Sequence, residues 1–125
     1  MNSGTVLLDS NSLIYSLKHK VDIRSQLLLL PEIIEICVPS CVRIELELLG
    51  GKVPYSSGAR ALAEKFKSFE SKGPADNCLI ELAEKYSAMI LTNDREVILR
   101  AHSRGIRTLS FMGGKRIGFS RPQSV

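Results

Sequence analysis

The sequence predicts an α/β domain whose parallel sheet is covered by helices on both faces. Strand-like and helix-like segments alternate along the chain, and the strand candidates, such as "TVLLD" (5–9) and "AMILTND" (88–94), are almost continuously apolar before they end in polar residues. A strand that is buried on both faces has this composition, whereas a half-exposed strand alternates apolar and polar residues. Strands that alternate with helices in this way form parallel sheets.

Helix caps, glycine and proline breaks and apolar periodicity predict the other elements. After the first strand they are a helix toward Lys18 capped by Ser10 or Asn11, a helix over 22–31 ending at Pro31, a strand over 33–39, a helix over 41–50 capped by Ser40, an amphipathic helix over 58–72, a helix over 74–87, a strand over 88–94, a helix over 94–105 and a strand over 106–111.

The length and composition are those of a single soluble globular domain. The chain has 125 residues, of which 44% are hydrophobic and 24% are charged, and a domain of this size can bury its own core. The longest apolar run, residues 27–30, is far shorter than a membrane span, and the N-terminus shows no secretory signal. We therefore expect a cytoplasmic protein with no membrane partner, made of a domain over residues 1–112 and a basic, flexible tail over 113–125.

The three cysteines do not indicate a stapled scaffold or a zinc site. Disulfide-rich secreted domains usually have a denser and even set of cysteines. Only two histidines are present to join Cys37, Cys41 and Cys78, and no second cysteine pair completes a four-ligand set. We expect all three to be reduced thiols in the core.

The charge is distributed unevenly along the chain. Residues 1–50 have a net charge of −2, with four basic residues against six acidic ones, whereas residues 51–125 have a net charge of +6, with 13 against seven. From Val97 onward there are six basic residues and no acid. Such a segment suits a polyanionic partner, although a solvated basic surface on a protein with a pI of about 9.1 explains it equally well.

Two acids occupy matching places in the predicted fold. Asp9 and Asp94 each follow an apolar strand candidate and precede a helix. Each acid taken alone is explained as a helix cap, because a carboxylate at this position accepts from free N–H groups and complements the helix dipole. Asp76 is similar, since it lies in the first turn after Pro74.

Glu45 is harder to explain as a surface residue. Helical spacing places it on an apolar stripe with Val42, Leu48 and Leu49. A charged carboxylate on a buried stripe is costly unless it is paired or bound to a cation. A long-range salt bridge remains an alternative at this position.

The four acids have a common explanation if the sheet is parallel. The carboxyl ends of parallel strands meet at one edge, so Asp9, Glu45, Asp76 and Asp94 are expected to lie near each other. Gathered carboxylates repel each other unless cations lie among them, and oxygen ligands without His or Cys favour one or two Mg²⁺ or Mn²⁺ ions. Such ions catalyse phosphodiester hydrolysis. Together with the basic segment, the four acids indicate a nuclease.

Four segments in this order resemble the motifs of the PIN-domain ribonucleases. They are "VLLDSNSLI", "PSCVRIELELL", "ADNCLIELA" and "ILTNDREVILRAHSRGIRTL", and the resemblance covers residues 4 to about 111. It implies that Asp9, Glu45, Asp76 and Asp94 are the catalytic, metal-binding acids. It also implies supporting roles for Asn11, Thr92 and Glu96. Position 10 is Ser where the family often has Thr, and position 96 is Glu where Asp is also common.

The resemblance implies a three-layer α/β/α sandwich and a metal-dependent endoribonuclease that acts on RNA, often as a homodimer. The last motif and its basic stretch are closer to the nucleases of ribosomal RNA processing than to the toxins of toxin/antitoxin pairs. A ribosome-assembly partner or an inhibitory antitoxin is the corresponding expected partner. The predicted RNA contacts are Arg95, Arg100, Arg104, Lys115 and Arg116.

Two alternatives keep a similar fold, namely a silent PIN scaffold and a phosphoryl-transfer or receiver-type α/β protein. A catalytically silent PIN scaffold that binds RNA or protein would not need four clustered acids. A phosphatase that forms an aspartyl phosphate usually has a second Asp two positions after the nucleophile, and this position is Asn11 here. A receiver-type protein would need paired acids and a late Lys in an order that this chain does not have. The nuclease is the function that the sequence favours.

Overall fold

The structure is a computed structural model that describes residues 4–121, apart from the side chain of Asp76. Its elements in chain order are β1 (Thr5–Leu8), α1 (Ser10–Lys18), α2 (Ile23–Leu27), β2 (Glu35–Pro39), α3 (Ser40–Leu49), α4 (Ser56–Ala63), β3 (Lys67–Phe69), α5 (Ala75–Tyr86), β4 (Met89–Leu91), α6 (Arg95–Ser103), β5 (Thr108–Met112) and β6 (Arg116–Phe119). Within this described part, no helix has the length and apolar character that crossing a membrane requires.

A six-stranded sheet in the order β3-β2-β1-β4-β5-β6 forms the centre of the molecule. Strands β1 to β5 are parallel to their neighbours, and β6 is antiparallel to β5. The central strand β1 is completely buried, and its Leu7 lies opposite Cys37 of β2 and Ile90 of β4. The predicted α/β fold with a parallel, mostly buried sheet is confirmed.

The helices form two packed groups that meet between α3 and α5. Helices α1, α3 and α4 contact one another, α5 packs on α6, and α3 contacts α5. Because parallel crossovers are right-handed, connections that move outward from β1 in opposite directions place their helices on opposite faces of the sheet. The direction of travel reverses between β1 and β4. Ligands of such sheets bind at this reversal, beyond the carboxyl ends of the strands.

The second predicted helix is shorter than expected. It ends at Leu27 and not at Pro31, and residues 28–31 form turns. Of the four consecutive leucines, Leu27 is completely buried while Leu28 and Leu29 are exposed. Consecutive residues of a helix point in different directions, so one helical face cannot bury all four. Pro31 also disfavours a helical conformation at the residue before it.

The predicted cap of α3 is also wrong. Ser40 is the first residue of the helix, and Pro39 occupies the cap position without a side-chain hydrogen bond. The Ser40 hydroxyl instead donates to the Ser71 carbonyl oxygen at 2.9 Å and accepts from the Ser71 N–H at 2.7 Å. The serine therefore ties the start of α3 to the segment after β3. The predicted end is confirmed, since Gly50 closes the helix in a left-handed conformation with φ +54°.

Two edge strands were not predicted. Residues 58–72 do not form one helix, because α4 ends at Ala63 and Lys67–Phe69 forms β3. Residues 116–119, which the sequence assigns to the tail, form β6, and residues 122–125 of that tail lie outside the described residues. Both strands lie at edges of the sheet, where exposed side chains remove the continuous apolar pattern.

A cross-strand ion pair supports the β2–β3 edge. Lys67 Nζ lies 2.8 Å from a Glu35 carboxylate oxygen. The hydrogen bond from Lys67 lowers the pKa of the Glu35 carboxyl, despite the opposing effect of burial. The pair joins neighbouring strands whose register places Lys67 opposite Cys37.

Two of the three cysteines are bonded to each other. Cys41 in the first turn of α3 and Cys78 in the first turn of α5 form a disulfide with a Cα–Cα distance of 6.8 Å. The expectation of three reduced thiols is therefore wrong for this pair, because residues 37 positions apart meet only when α3 and α5 pack at their starts. Cys37 is free and buried, and burial raises the pKa of its thiol to about 11.

Reduction of the Cys41–Cys78 bond should lower the free energy of unfolding by about 2–4 kcal/mol, because the crosslink restricts the unfolded chain. Urea unfolding with and without a reducing agent measures the change. A double Cys41→Ala, Cys78→Ala variant, which keeps Cys37, should not respond to the reductant. An equal unfolding midpoint for the wild type in both conditions would contradict a stabilising crosslink.

Candidate active site

Asp9 stands at the carboxyl end of β1 and begins α1. Its side chain is only 7% exposed, and its Oδ1 accepts a hydrogen bond from the Ser12 N–H at 2.7 Å. Asp9 is therefore the N-cap of α1, and the prediction that Ser10 or Asn11 caps this helix is wrong. The reason is local geometry, since the extended backbone of Asp9 brings its short side chain to the free N–H three residues later. The carboxylate is held in one orientation by this bond.

Asp94 has the same role after β4. Its Oδ1 accepts from the N–H groups of Glu96 at 2.9 Å and Val97 at 3.3 Å, and it is the N-cap of α6. Its own N–H donates to the hydroxyl of the buried Thr92 at 3.0 Å. Thr92 thus shapes the turn that presents Asp94. Glu96 lies exposed in the first turn of α6.

The two capping carboxylates follow neighbouring strands of the sheet. Leu8, which precedes Asp9, pairs with Leu91, the last residue of β4. The Ser12 hydroxyl donates to the Leu91 carbonyl oxygen at 2.9 Å, which joins the first turn of α1 to the end of β4. Asp9 and the turn that carries Asp94 are therefore fixed at the same edge, where the strand order reverses.

Glu45 is brought to this edge by Ser10. The Ser10 hydroxyl donates to the Oε1 atom of Glu45, and Ser10 is the residue directly after Asp9. The glutamate is half-buried on α3. From the sequence, Ser10 was expected to act as a helix cap. Nothing in the residues around Ser10 indicates a contact with a residue 35 positions away.

The surroundings of Glu45 on α3 differ from the predicted stripe. Leu48 is 77% exposed, and the buried residues of this helix are Cys41, Val42 and Leu46. Glu45 therefore lies at the border of the buried face and not within it. The polar contact with Ser10, and not burial alone, distinguishes it from a surface glutamate.

The predicted fourth acid, Asp76, is in the first turn of α5, and its side chain lies outside the described residues. Two bonds position this turn. The Cys41–Cys78 disulfide joins it to the first turn of α3, and an Arg100 guanidinium NH₂ donates to the Asn77 side-chain oxygen at 2.8 Å, which joins it to α6. The structure thus brings the first turn of α5, with the backbone of Asp76, beside the first turn of α3.

The described donors fit a hard cation by their chemistry. Asp9, Glu45 and Asp94 are carboxylates, the ligand type that Mg²⁺ and Mn²⁺ prefer. Among the side chains that the structure describes, which leave out Asp76, no group of three or more acids, histidines or cysteines is close enough to hold a metal ion. The metal site predicted from the sequence therefore stays a prediction.

Three of the predicted RNA-contacting residues lie at the same edge. Arg95 is the first residue of α6, directly after Asp94. Lys115 and Arg116 belong to the turn and the first position of the strand after β5. Because β5 is parallel to β4, this turn lies at the carboxyl edge of the sheet, with the acids.

The other two predicted RNA-contacting residues, Arg100 and Arg104, bind other side chains of the protein. Arg100 binds Asn77, as described above. Arg104 caps the C-terminus of α6 and lies 3.3 Å from Glu84 in an ion pair. A nine-residue helix is about 14 Å long, so the structure does not bring Arg104 to the acids.

A small pocket beside the acids was not predicted. We call it the aromatic pocket; it has a volume of about 260 Å³ and is lined by Asn11, Ser12, Tyr15, Asn93, Asp94 and Phe111. Tyr15 and Phe111 were missed because aromatic residues in helices and strands usually belong to the core. Asn93, a polar residue directly after a buried strand, was the available signal.

The comparisons with known proteins agree with this architecture. Residues 6–113 match the family model described as "PIN like domain". Ribonuclease VapC9 from Archaeoglobus fulgidus is 31% identical over 115 residues, which cover 89% of this chain and 85% of that protein. The solved structure of the PIN domain endonuclease Utp24 is similar with a TM-score of 0.80 and 26% identity, over 94% of this chain and 92% of that chain. The resemblance noted in the four motifs is confirmed, and the chain belongs to the PIN-like domain family.

Proposed function

We propose that the protein is an endoribonuclease that hydrolyses RNA phosphodiester bonds with the help of a divalent cation. The observation that carries the proposal is the position of Asp9 and Asp94, two oriented carboxylates at the reversal of the strand order. The contact of Glu45 with Ser10 adds a third acid to this edge. The names of two similar proteins, a ribonuclease and an endonuclease, support the same chemistry.

The four predicted acids, Asp9, Glu45, Asp76 and Asp94, would hold one or two Mg²⁺ or Mn²⁺ ions. When bound, such an ion supplies an activated water and neutralises charge on the leaving oxygen. The residues of this chain contribute orientation. The N–H groups that donate to the carboxylates of Asp9 and Asp94 hold these side chains at the edge of the sheet. The carboxylates therefore need little reorganisation when the substrate binds.

The RNA backbone would be held by basic side chains at the same edge of the sheet. Arg95, Lys115 and Arg116 lie close to the acids along the chain or at the same end of the sheet. Phosphate contacts of this kind give affinity that falls steeply with added salt. Arg104, which is paired with Glu84 at the far end of α6, is not included in this surface.

The proposal predicts cleavage that depends on a divalent cation. Incubated with labelled single-stranded and structured RNA, the wild-type protein should produce internal cuts with Mg²⁺ or Mn²⁺, because the acids need the cation to act. Chelation by EDTA should stop the reaction, and an excess of Mn²⁺ should restore it. Failure to cut any RNA under these conditions would refute the nuclease and favour a silent PIN scaffold.

We further propose a role in ribosomal RNA processing, carried out in the cytoplasm by a homodimer that acts with a ribosome-assembly partner. The basis is the resemblance of the fourth motif and its basic stretch. Mapping of ribosomal RNA ends in cells that lack the protein tests this role. Growth arrest on expression of the active protein, relieved by a co-expressed small partner, would indicate the toxin alternative. Light scattering of the purified protein would test the homodimer.

A further inference from the structure

We propose that the aromatic pocket binds one unpaired nucleobase of the RNA, next to the phosphate that is cleaved. This inference rests on the proposed function for its substrate. It concerns residues outside the four predicted acids, chiefly Tyr15, Asn93 and Phe111.

The wall of the pocket is aromatic. The rings of Tyr15 and Phe111 have centroids 4.4 Å apart and are tilted by 30°, and the His19 ring lies 4.1 Å from Tyr15 on the same helix end. Phe111 is fixed in β5 and is only 7% exposed. Because Tyr15 and Phe111 pack against each other, a base in the pocket would contact the aromatic surface that this pair leaves open, and such contacts are largely independent of base sequence.

The polar groups of the pocket suit the edge of a base. The Asn93 side-chain oxygen accepts from the Phe111 N–H at 2.8 Å, so the group that Asn93 can offer a ligand is its amide NH₂, a donor. Asn11 is exposed and has both an amide donor and a carbonyl acceptor. An apolar ligand would have no use for these groups, whereas the edge of a base carries both donors and acceptors.

The size of the pocket suits a small occupant such as a single base. Its volume of about 260 Å³ is below the roughly 300–1,000 Å³ of clefts that enclose drug-sized ligands. A base that is paired and stacked in a duplex cannot enter such a pocket, but a base in a single strand or loop can be turned outward.

The position of the pocket links the base to the cleaved phosphate. Asp94 both lines the pocket and is one of the predicted metal-binding acids, and Asn11 is two residues after Asp9. Beyond Phe111, β5 leads within a few residues to the turn that carries Lys115 and Arg116. A nucleotide whose base is in the pocket would therefore have its phosphate near Asp94, at the edge of the sheet that also carries Lys115 and Arg116.

A fluorescent base tests the inference separately from catalysis. The probe is a short single-stranded RNA with one 2-aminopurine, titrated with protein in EDTA so that no cleavage occurs. Wild-type protein should quench the fluorescence, and Tyr15→Leu, which keeps apolar contact with Phe111, should weaken binding about tenfold, since aromatic contacts contribute strongly to the binding of single bases. The same sequence in a duplex should give no quenching.

Matched variants keep the test decisive. Tyr55→Leu removes an exposed tyrosine that does not line the pocket and should bind the probe as the wild type does. Asn11→Ala, at an exposed position, provides a second variant if Tyr15→Leu does not fold, and it should weaken binding several-fold. A folded Tyr15→Leu that binds and quenches like the wild type would overturn the pocket assignment.

The two proposals fail in different ways. Quenching that is lost in Tyr15→Leu, together with no RNA cleavage by the wild type, would support the pocket and refute the nuclease. Cation-dependent cleavage whose KM is unchanged in Tyr15→Leu, and which is as fast on duplex RNA as on single strands, would support the nuclease and refute the pocket.

Discussion

Replacement of Asp9 by asparagine is expected to lower the rate of RNA cleavage by about a thousandfold or more while the protein stays folded. The loss follows from the removal of one negative charge from the acids that would hold the cation, whose contribution to catalysis is several kcal/mol. The fold is retained because asparagine caps a helix about as well as aspartate. Its side-chain oxygen can still accept from the Ser12 N–H, as Oδ1 of Asp9 does at 2.7 Å.

A matched control exists within the chain. Asp22 caps α2 in the same way, with Oδ1 accepting from the Ser25 N–H at 3.1 Å. It is exposed and is not one of the four predicted metal-binding acids. The backbone hydrogen bond from Ser25 lowers the pKa of Asp22, so this aspartate is also a charged cap. Asp22→Asn should therefore cut RNA at the wild-type rate.

Comparison of two substitutions separates capping from chemistry. Asp9→Ala should lose the same activity as Asp9→Asn and in addition about 1 kcal/mol of stability, because alanine cannot accept from the Ser12 N–H. Asp94→Asn should behave like Asp9→Asn, since it keeps the cap on α6. Thermal unfolding and cleavage rates measured on the same preparations give both quantities. Retained activity in both asparagine variants would rule out these two acids as central ligands.

The largest loss of stability is expected for Leu7→Ala, at about 2–5 kcal/mol of the free energy of unfolding. Leu7 is completely buried in the central strand, between Cys37 and Ile90 on the neighbouring strands. Truncation removes apolar contacts and leaves a cavity that the rigid sheet cannot close. Urea unfolding of the variant beside the wild type measures the difference.

Leu48→Ala is the matched control for this prediction. Leu48 is 77% exposed on α3, and a substitution at such a position changes stability by about 0.5 kcal/mol or less. The two leucines receive the same substitution and differ in burial. Equal unfolding midpoints for the two variants would contradict the packing of β1 at the centre of the sheet.

Local pattern was sufficient where one segment decides its own structure. The continuous apolar runs predicted β1 and β4 because both are buried on each face, and Gly50 predicted the end of α3 because its left-handed conformation suits glycine. The places of Asp9 and Asp94 after these strands followed directly. The edge strands β3 and β6 could not be found in this way, since they form by backbone pairing with neighbours and neither has a continuous apolar run.

The sequence by itself therefore determined the α/β fold, the parallel central strands and the acids at their ends. Only the tertiary structure decided that Asp9 caps its own helix, that Ser10 contacts Glu45, that Cys41 bonds to Cys78, and that Tyr15 and Phe111 form a pocket beside the acids. The physical reason is distance along the chain. Periodicity and helix caps reflect interactions within a few residues. The contacts of Ser10 with Glu45, of Cys41 with Cys78 and of Tyr15 with Phe111 each join residues 35 or more positions apart. The cap by Asp9 depends on where the buried strand ends.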